Sequence, residues 1–467
     1  TNGNILAHLG ALSTRVGLAT GHTLISWLPL GHDMGLVGNV LLALVTGVDL
    51  RLMSPFEFMK KPIDWLKALS EHPVAMTAAP TMAFDLATRR IDVADMAGID
   101  LSTWKRAYCG AEPVHVPTIE RFIEKFAPFG FDPEALMPTY GLAEATLMAT
   151  MPEPGVTPRY LETRASSVRP GAMVDVVGEH VFGSAADASP GNSLVACLGP
   201  PADNLDLFIQ DDAGRRIVNP HQIGEIAVSG PGIAPGTRRP DGGLDPFETP
   251  YRTGDLGFLH DGELVVVDRT KSVLIWNGQN YSASLSEHRL ASATDVAVNR
   301  LSVLEYQPQS GQKSIAVVVE LGRGQDADEV ADVLLSSIPA LEHPVHEVVV
   351  IPSGGIPRTT SGKPRRERLR TDLSKGAVTS LVHRYPPAVE PNERRPHPRN
   401  RSRREAPALA RTADDVVRPV DIAIDIDEEN ARSAINRHIT DTLSDRGRSA
   451  GVLSDGLSLR DDLGLDS

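Results

Sequence analysis

The stretch Pro138-Thr139-Tyr140-Gly141-Leu142-Ala143-Glu144-Ala145-Thr146, preceded by Gly110-Ala111-Glu112-Pro113, puts an aromatic ring, a backbone-exposing glycine and a lone carboxylate into one tight turn. Those groups suit a flat base, a closely approached phosphate and a hard cation. Three other stretches carry chemistry of the same kind. In Pro29-Leu30-Gly31-His32-Asp33-Met34-Gly35 two glycines leave His32 free to face a cleft. Around Asp261-Gly262, a favoured hairpin turn, two β-type runs deliver Asp255 at one end and Asp268-Arg269 at the other. Ile356-Pro357-Arg358-Thr359-Thr360-Ser361-Gly362-Lys363 is polar, Gly-flanked and Pro-interrupted, which makes it an exposed loop presenting a lysine. It is not a phosphate-binding loop of the nucleoside-triphosphatase kind, because its first glycine is misplaced and Pro364 replaces the Ser or Thr.

The elements around these residues must position them. Residues 4–9 read as an amphipathic helix already under way, 24–28 as a strand, and the apolar stretch 37–53 as a buried helix interrupted by Gly38, Asn39, Gly47, Asp49 and Arg51. A buried strand over 74–80 stops at Pro80 and gives way to a helix running to about Arg90; another strand over 104–109 runs into Gly110. Ile119, Phe122, Ile123 and Phe126 form one helical stripe, ended by Pro128 and Gly130. This alternation predicts an α/β sheet whose ligand crevice lies at the strand ends. Over 155–198 the pattern loosens into a surface insertion, and the sequence then turns β-rich. A smaller α+β unit follows, with strands near 273–276, 296–303, 314–320 and 345–351 and helices near 284–291 and 327–335.

The 467 residues are 41% hydrophobic and 23% charged, a globular composition with room for two or three folding units. A net charge of -14 argues against a surface that coats nucleic acid and favours small molecules or protein partners. Cys109 and Cys197 make neither a disulfide framework nor a metal spacing, which fits a reducing, cytoplasmic setting. His8, His22 and His72 share no metal spacing and read as surface or satisfied-core residues. No apolar run is long enough for a membrane span, and the first residues lack a signal-peptide pattern. Without an initial Met, the chain is expected to be a fragment. Residues 385–412 are Pro- and Arg-rich and read as a flexible basic linker; a helical stripe over 431–443 then leads to Leu463-Gly464-Leu465-Asp466-Ser467.

Taken together, Trp27-Leu28-Pro29-Leu30 with His32 to Gly35, Gly110-Ala111-Glu112-Pro113 with Tyr140 to Leu147, Arg252-Thr253-Gly254-Asp255 with Asp268-Arg269-Thr270-Lys271, and Ser361-Gly362-Lys363 resemble the adenylate-forming superfamily, most nearly its fatty acyl-AMP ligases. The resemblance covers Thr1 to about Leu373, and the tail resembles the start of an acyl carrier protein. Taken singly, Tyr140 would more often be packing, Asp255 a turn cap and Lys363 plain surface. Their order and spacing carry the resemblance.

The resemblance implies a large α/β domain with a β-rich subdomain over 1–268, a small mobile α+β subdomain over 269–375, a linker over 376–427 and a truncated helical carrier domain over 428–467. It implies that a long-chain fatty acid is activated by ATP to acyl-AMP and passed to the phosphopantetheine thiol of a carrier domain, in cis or in trans. The activity would load a downstream polyketide or peptide synthase. Adenine would lie along Gly110, Ala111, Glu112 and Pro113 and against Tyr140, Gly141 and Leu142. Asp255 would hold the ribose hydroxyls, with Arg269 beside the sugar, and Glu144 would ligate Mg2+. Lys363 would bridge the substrate carboxylate and the α-phosphate, and His32, Asp33, Met34 and Gly35 would border the acyl pocket. Lys271 matches the hinge, Ser467 the phosphopantetheine attachment point, and 155–198 the insertion that restricts hinge rotation in this branch. Ser272 departs from the acidic residue usual there, and the family's Ser/Thr/Gly-rich phosphate loop, expected ahead of residue 1, does not occur. A chain lacking that loop is expected to turn over weakly. The alternatives are an acyl-coenzyme A ligase or an inactive scaffold that docks carrier domains.

Overall fold

Five short β-stretches align in parallel: β1 Thr23–Ser26, β2 Asp49–Leu52, β3 Ala75–Ala79, β4 Trp104–Cys109 and β5 Leu136–Pro138, in the order β2-β1-β3-β4-β5. The computed structural model describes residues 1–386, apart from 186, 187, 278, 295, 309, 310, 323 and 359–363. Central strands of a parallel sheet are covered on both faces, and β3 is accordingly buried along its whole length, whereas the edge strand β2 is mostly exposed. The helices Ile63–Ser70, Thr81–Arg90 and Val116–Phe126 supply large rings to this core. Trp65 and Phe122 each meet both Phe84 and Trp104 edge-on at centroid separations of 5.0–6.0 Å, a favourable arrangement of aromatic quadrupoles.

The first helix runs over Asn2–Val16. Two expectations for this part of the chain are corrected. The stretch 37–53 is not one helix. A π-helical turn, Leu36–Leu41, passes into a short α-helix, Leu42–Thr46, which ends at Gly47 in the left-handed conformation, and β2 follows. Finally, 155–198 is not irregular. Strands Arg159–Arg164, Val176–Val181 and Asn192–Ala196 form an antiparallel sheet whose buried Leu161 and Val195 join Phe258 and Val265 in one core.

A second antiparallel sheet joins Asp206–Gln210, Gly224–Ser229, Tyr251–His260 and Glu263–Arg269. Beyond a 3-10 turn at Thr270–Ser272 comes a separate four-stranded sheet, Leu301–Tyr306, Ser314–Glu320, Glu347–Ile351 and Val382–Arg384, with its own Val-rich core. Its last strand lies past residue 375, where the resemblance implied a linker. The strand expected over 296–303 lies a few residues later, because Val298–Arg300 is a 3-10 turn. Arg169, from the 155–198 region, reaches this smaller sheet's neighbourhood: its guanidinium lies 5.2 Å from the Tyr281 ring centroid and 3.5 Å from both Gln279 Oε1 and Glu342 Oε2.

Candidate active site

Two cavities open beside the loops that follow β3, β4 and β5, where open parallel sheets place their ligands. One, of about 290 Å³, is walled by residues 111–115 and 139–141, by Asp255 and residues 266–269, and by Glu287, His288 and Arg366. The other, of about 350 Å³, is walled by 31–34, Gly38, Asn39, Tyr108 and 142–144. Ala111, Thr139, Gly141 and Arg269 face both, so the cavities meet at the backbone turns after β4 and β5.

Those turns come close together because two glycines permit it. A Cβ on Gly110 would lie 2.7 Å from Thr139 Oγ1, and one on Gly141 would lie 2.1 Å from the Leu147 carbonyl oxygen. Next to them Ala111 and Thr146 hold positive φ, an uncommon conformation for residues with side chains. Glu112 Oε1 accepts from the Met82 amide at 2.6 Å and Thr81 Oγ1 donates to the Pro113 carbonyl at 3.2 Å, tying this turn to the start of helix Thr81–Arg90.

Asp255 is buried between the two walls. The Tyr140 hydroxyl donates to its Oδ2 at 2.6 Å, and Arg269 Nε donates to its Oδ1 at 2.6 Å. A β-bulge sets this pairing. From the turn outward the hairpin register runs His260↔Glu263 to Gly257↔Val266 and then slips, giving Leu256↔Asp268 and Asp255↔Arg269. An unbroken ladder would have set Asp255 opposite Asp268, two carboxylates side by side. Asp268 instead turns inward, accepting from Ser284 Oγ at 2.9 Å and the Arg269 amide at 2.7 Å, and burial pushes its carboxyl above the ordinary range. Burial and the adjacent Asp255 carboxylate hold the Tyr140 phenol well above its usual value, so it stays a donor.

Glu144 sits partly buried on the 3-10 turn Ala143–Ala145 and lines the second cavity. A single carboxylate on a cavity wall, with the Tyr251 phenol beside it, fits Mg2+, which keeps waters and shares its coordination with substrate phosphates. Among the described residues the group of side chains close enough to hold a metal unaided is elsewhere, at Glu179, His260 and Asp261, with the Arg159 guanidinium already against Glu179. Leu142 lies beside Glu144 on the same wall.

His32, Asp33 and Met34 line the second cavity, but Gly35 does not. A Cβ there would lie 2.2 Å from the Pro29 carbonyl oxygen, so Gly35 is a packing residue behind the wall. His32 is also less free than its flanking glycines suggested: its Nδ1 lies 2.5 Å from Asp33 Oδ1 and accepts from the Met34 amide at 3.2 Å. Lys271 is exposed on the turn Thr270–Ser272. Lys363 and Ser467 lie outside the described residues; Pro364, next to Lys363, lines the first cavity.

Several residues on or near these walls escaped the sequence reading. Tyr251, one residue before Arg252-Thr253-Gly254-Asp255, has its phenol raised to about 12 by burial and by the Glu144 carboxylate. His115, two residues after the Gly110 motif, lines the first cavity with its ring edge-on to His288 at a centroid separation of 4.7 Å, and burial depresses both imidazoles, His288 to about 4. The signal was there in position, since Tyr251 and His115 both lie within two residues of a motif.

Comparison with known proteins gives the family. Residues 1–237 match the family model described as AMP-binding enzyme. The long-chain-fatty-acid–AMP ligase FadD26 of Mycobacterium marinum is 36% identical over 75% of this chain and 62% of its own length. The medium-chain-fatty-acid–[acyl-carrier-protein] ligase JamA of Moorena producens is 33% identical over 81% and 65%. A structure from studies of fatty acyl-adenylate ligases of E. coli and L. pneumophila superposes with a TM-score of 0.70 at 26% identity, covering 80% of this chain and 67% of that one. The chain spans just under two thirds of the length of the curated relatives it matches. With more than half of its residues matched, the chain belongs to the AMP-binding enzyme family.

Proposed function

We propose that this chain is the adenylate-holding part of an enzyme that activates a fatty acid with ATP to acyl-AMP and passes the acyl group to the phosphopantetheine thiol of a carrier domain. The observation that carries this reading is the junction of two cavities at Ala111, Thr139, Gly141 and Arg269: a nucleotide in one and an acyl chain in the other would bring phosphate and carboxylate together there. In the reaction a carboxylate oxygen attacks the α-phosphorus, the bond to pyrophosphate breaks, and the pyrophosphate leaves with its charge.

The residues divide the work. Adenine lies between the Gly110 turn and Tyr140, and Asp255, already oriented by Tyr140 and Arg269, accepts from the ribose hydroxyls through its remaining lone pairs. Glu144 would hold Mg2+, which when bound supplies neutralisation of phosphate charge. Lys363 would bridge the carboxylate and the α-phosphate, the role that the resemblance of Ser361-Gly362-Lys363 implies. At ~4 Å and an effective dielectric near 20 such a contact is worth roughly 4 kcal/mol before desolvation. Residues 269–386 act as the moving subdomain about Lys271, and Arg169 tethers it, which favours a carrier thiol over coenzyme A. The carrier-ligase name of the JamA relative supports the same acceptor.

Calorimetric titration with a non-hydrolysable fatty acyl-adenylate analogue tests the reading. Saturable binding that AMP displaces is expected. Absence of binding for every acyl length would remove it.

A further inference from the structure

At the turn end of the hairpin, away from Asp255, three side chains bring ligand atoms together. His260 closes strand Tyr251–His260, Asp261 opens the turn after it, and Glu179 comes from strand Val176–Val181 of the other antiparallel sheet. His260 Nε2 lies 3.2 Å from Glu179 Oε2 and 3.8 Å from Asp261 Oδ2, and the three residues' ligand atoms all fall within 4.8 Å of one another. A tetrahedral Zn2+ with bonds of about 2.0–2.1 Å sets its ligands about 3.3 Å apart, so small side-chain adjustments would bring these atoms onto one ion. The Glu179 and Asp261 side chains are 41% and 71% exposed, which opens the group to solvent, while His260 is buried.

Two of the three ligands are already oriented through their other polar atom. His260 Nδ1 meets His221 Nε2 at 2.8 Å, and Glu179 Oε1 meets Arg159 Nη1 at 2.5 Å. Metal-bound imidazoles and carboxylates carry outer partners of this kind. Coordination through Nε2 places the His260 proton on Nδ1, where His221 Nε2 can accept it. Charge favours a cation as well. Arg159 also pairs with Glu263 at 2.6 Å and lies 3.8 Å from Asp261, so one guanidinium faces three carboxylates, and a divalent ion would balance the two left over. An imidazole nitrogen among the donors suits Zn2+ and disfavours Mg2+ and Ca2+, which take oxygen ligands.

We propose that Glu179, His260 and Asp261 bind one Zn2+, with water in the fourth position. The ion fastens the turn of the hairpin to the three-stranded sheet, at the end opposite the one that carries Asp255 and Arg269. The inference stands apart from the acyl-adenylate reading, since none of the three ligands lines either cavity.

The test titrates the metal-free full chain with Co2+, whose visible absorption reports four-coordinate binding, and then displaces it with Zn2+. Wild type is expected to saturate at one equivalent below millimolar Co2+. Asp261→Asn keeps a residue that tolerates the left-handed backbone held there at φ 49°. It should fold normally and bind at least about tenfold more weakly, as should His260→Gln. Zn2+ should also raise the urea midpoint of wild type and leave that of Asp261→Asn unmoved, because an ion held by the folded state alone stabilises it. Binding that fails to saturate by millimolar metal would overturn the site. So would an affinity or a Zn2+-induced midpoint shift that is the same in wild type and in Asp261→Asn.

Discussion

The Tyr140 hydroxyl and the Asp255 carboxylate, 115 residues apart in sequence, meet at 2.6 Å, with Arg269 closing the other carboxylate oxygen at the same distance. One wall residue thus orients the acceptor that the opposite wall presents, and the carboxylate's direction is set before any ligand arrives. Asp255→Asn keeps the shape but replaces the charged acceptor of both contacts with a neutral amide. Hydrogen bonds to charged groups contribute about 1.5–3 kcal/mol, so AMP affinity should fall by roughly tenfold to a hundredfold. Calorimetry with AMP measures this directly. An unchanged affinity would mean that the carboxylate is structural only.

Gly141 separates packing from conformational preference. The added Cβ of Gly141→Ala would lie 2.1 Å from the Leu147 carbonyl oxygen, so the turn between the two cavities has to open. Overpacking of this kind costs about 1–3 kcal/mol. Gly10 lies within helix Asn2–Val16 with nothing within 4 Å of the corresponding position, and Gly10→Ala should stabilise by roughly 0.5–1 kcal/mol. Urea midpoints should therefore move in opposite directions with unchanged slopes.

What the sequence allowed one to read follows from how local each signal is. The strand Trp104–Cys109 and the helix Val116–Phe126 lie where their patterns placed them, because each has one strong period and clear stops. The hairpin carrying Asp255 was legible from Asp261-Gly262, but its bulge was not, and the bulge decides that Asp255 faces Arg269 rather than Asp268. The π-helical turn Leu36–Leu41 has no period distinct enough to show in six residues. Val176–Val181 alternates half-buried and exposed positions as an edge strand does, but Gly178 and the Gly- and Ser-rich stretch after it obscured the pattern. Tyr251 gains its place from Glu144, a property of tertiary packing that no local window contains.

Glu287 and Arg366 offer a test of the smaller subdomain. Glu287 is buried on helix Ala283–Thr294, where it accepts from the Val303 amide at 2.9 Å and pairs with Arg366 at 2.5 Å. Burial pushes its carboxyl above the ordinary range, while the Arg366 charge opposes that shift. Arg366→Met removes the counter-charge but keeps a similar apolar stem, leaving a buried carboxylate unpaired. Breaking a buried pair in this way costs about 3–5 kcal/mol. Amide exchange should accelerate most in Leu301–Tyr306, which receives the Glu287 carboxylate; acceleration confined to helix Arg366–Ser374 would contradict the assignment.

Buried histidines give the protein a defined response to acid. Burial lowers His8 and His288 from 6.5 to about 4, and His115 well below its ordinary value. The folded state therefore resists protonation that the unfolded chain accepts. Their contribution is fully present above about pH 6.5, is lost as pH falls from there towards about 4, and levels off below. Each full shift corresponds to a few kcal/mol, since one pH unit is worth about 1.4 kcal/mol. Asp268 and Glu287 act in the opposite sense, because carboxyls raised by burial gain stability as they protonate, so the net loss should be smaller than the histidines alone would give. His8→Gln retains an acceptor for the Met148 amide, which His8 Nε2 binds at 3.3 Å, while removing the titration. Its urea midpoint should consequently change less between pH 6.5 and pH 4 than that of wild type, and an equal slope in the two proteins would exclude His8 as a source of the acid sensitivity.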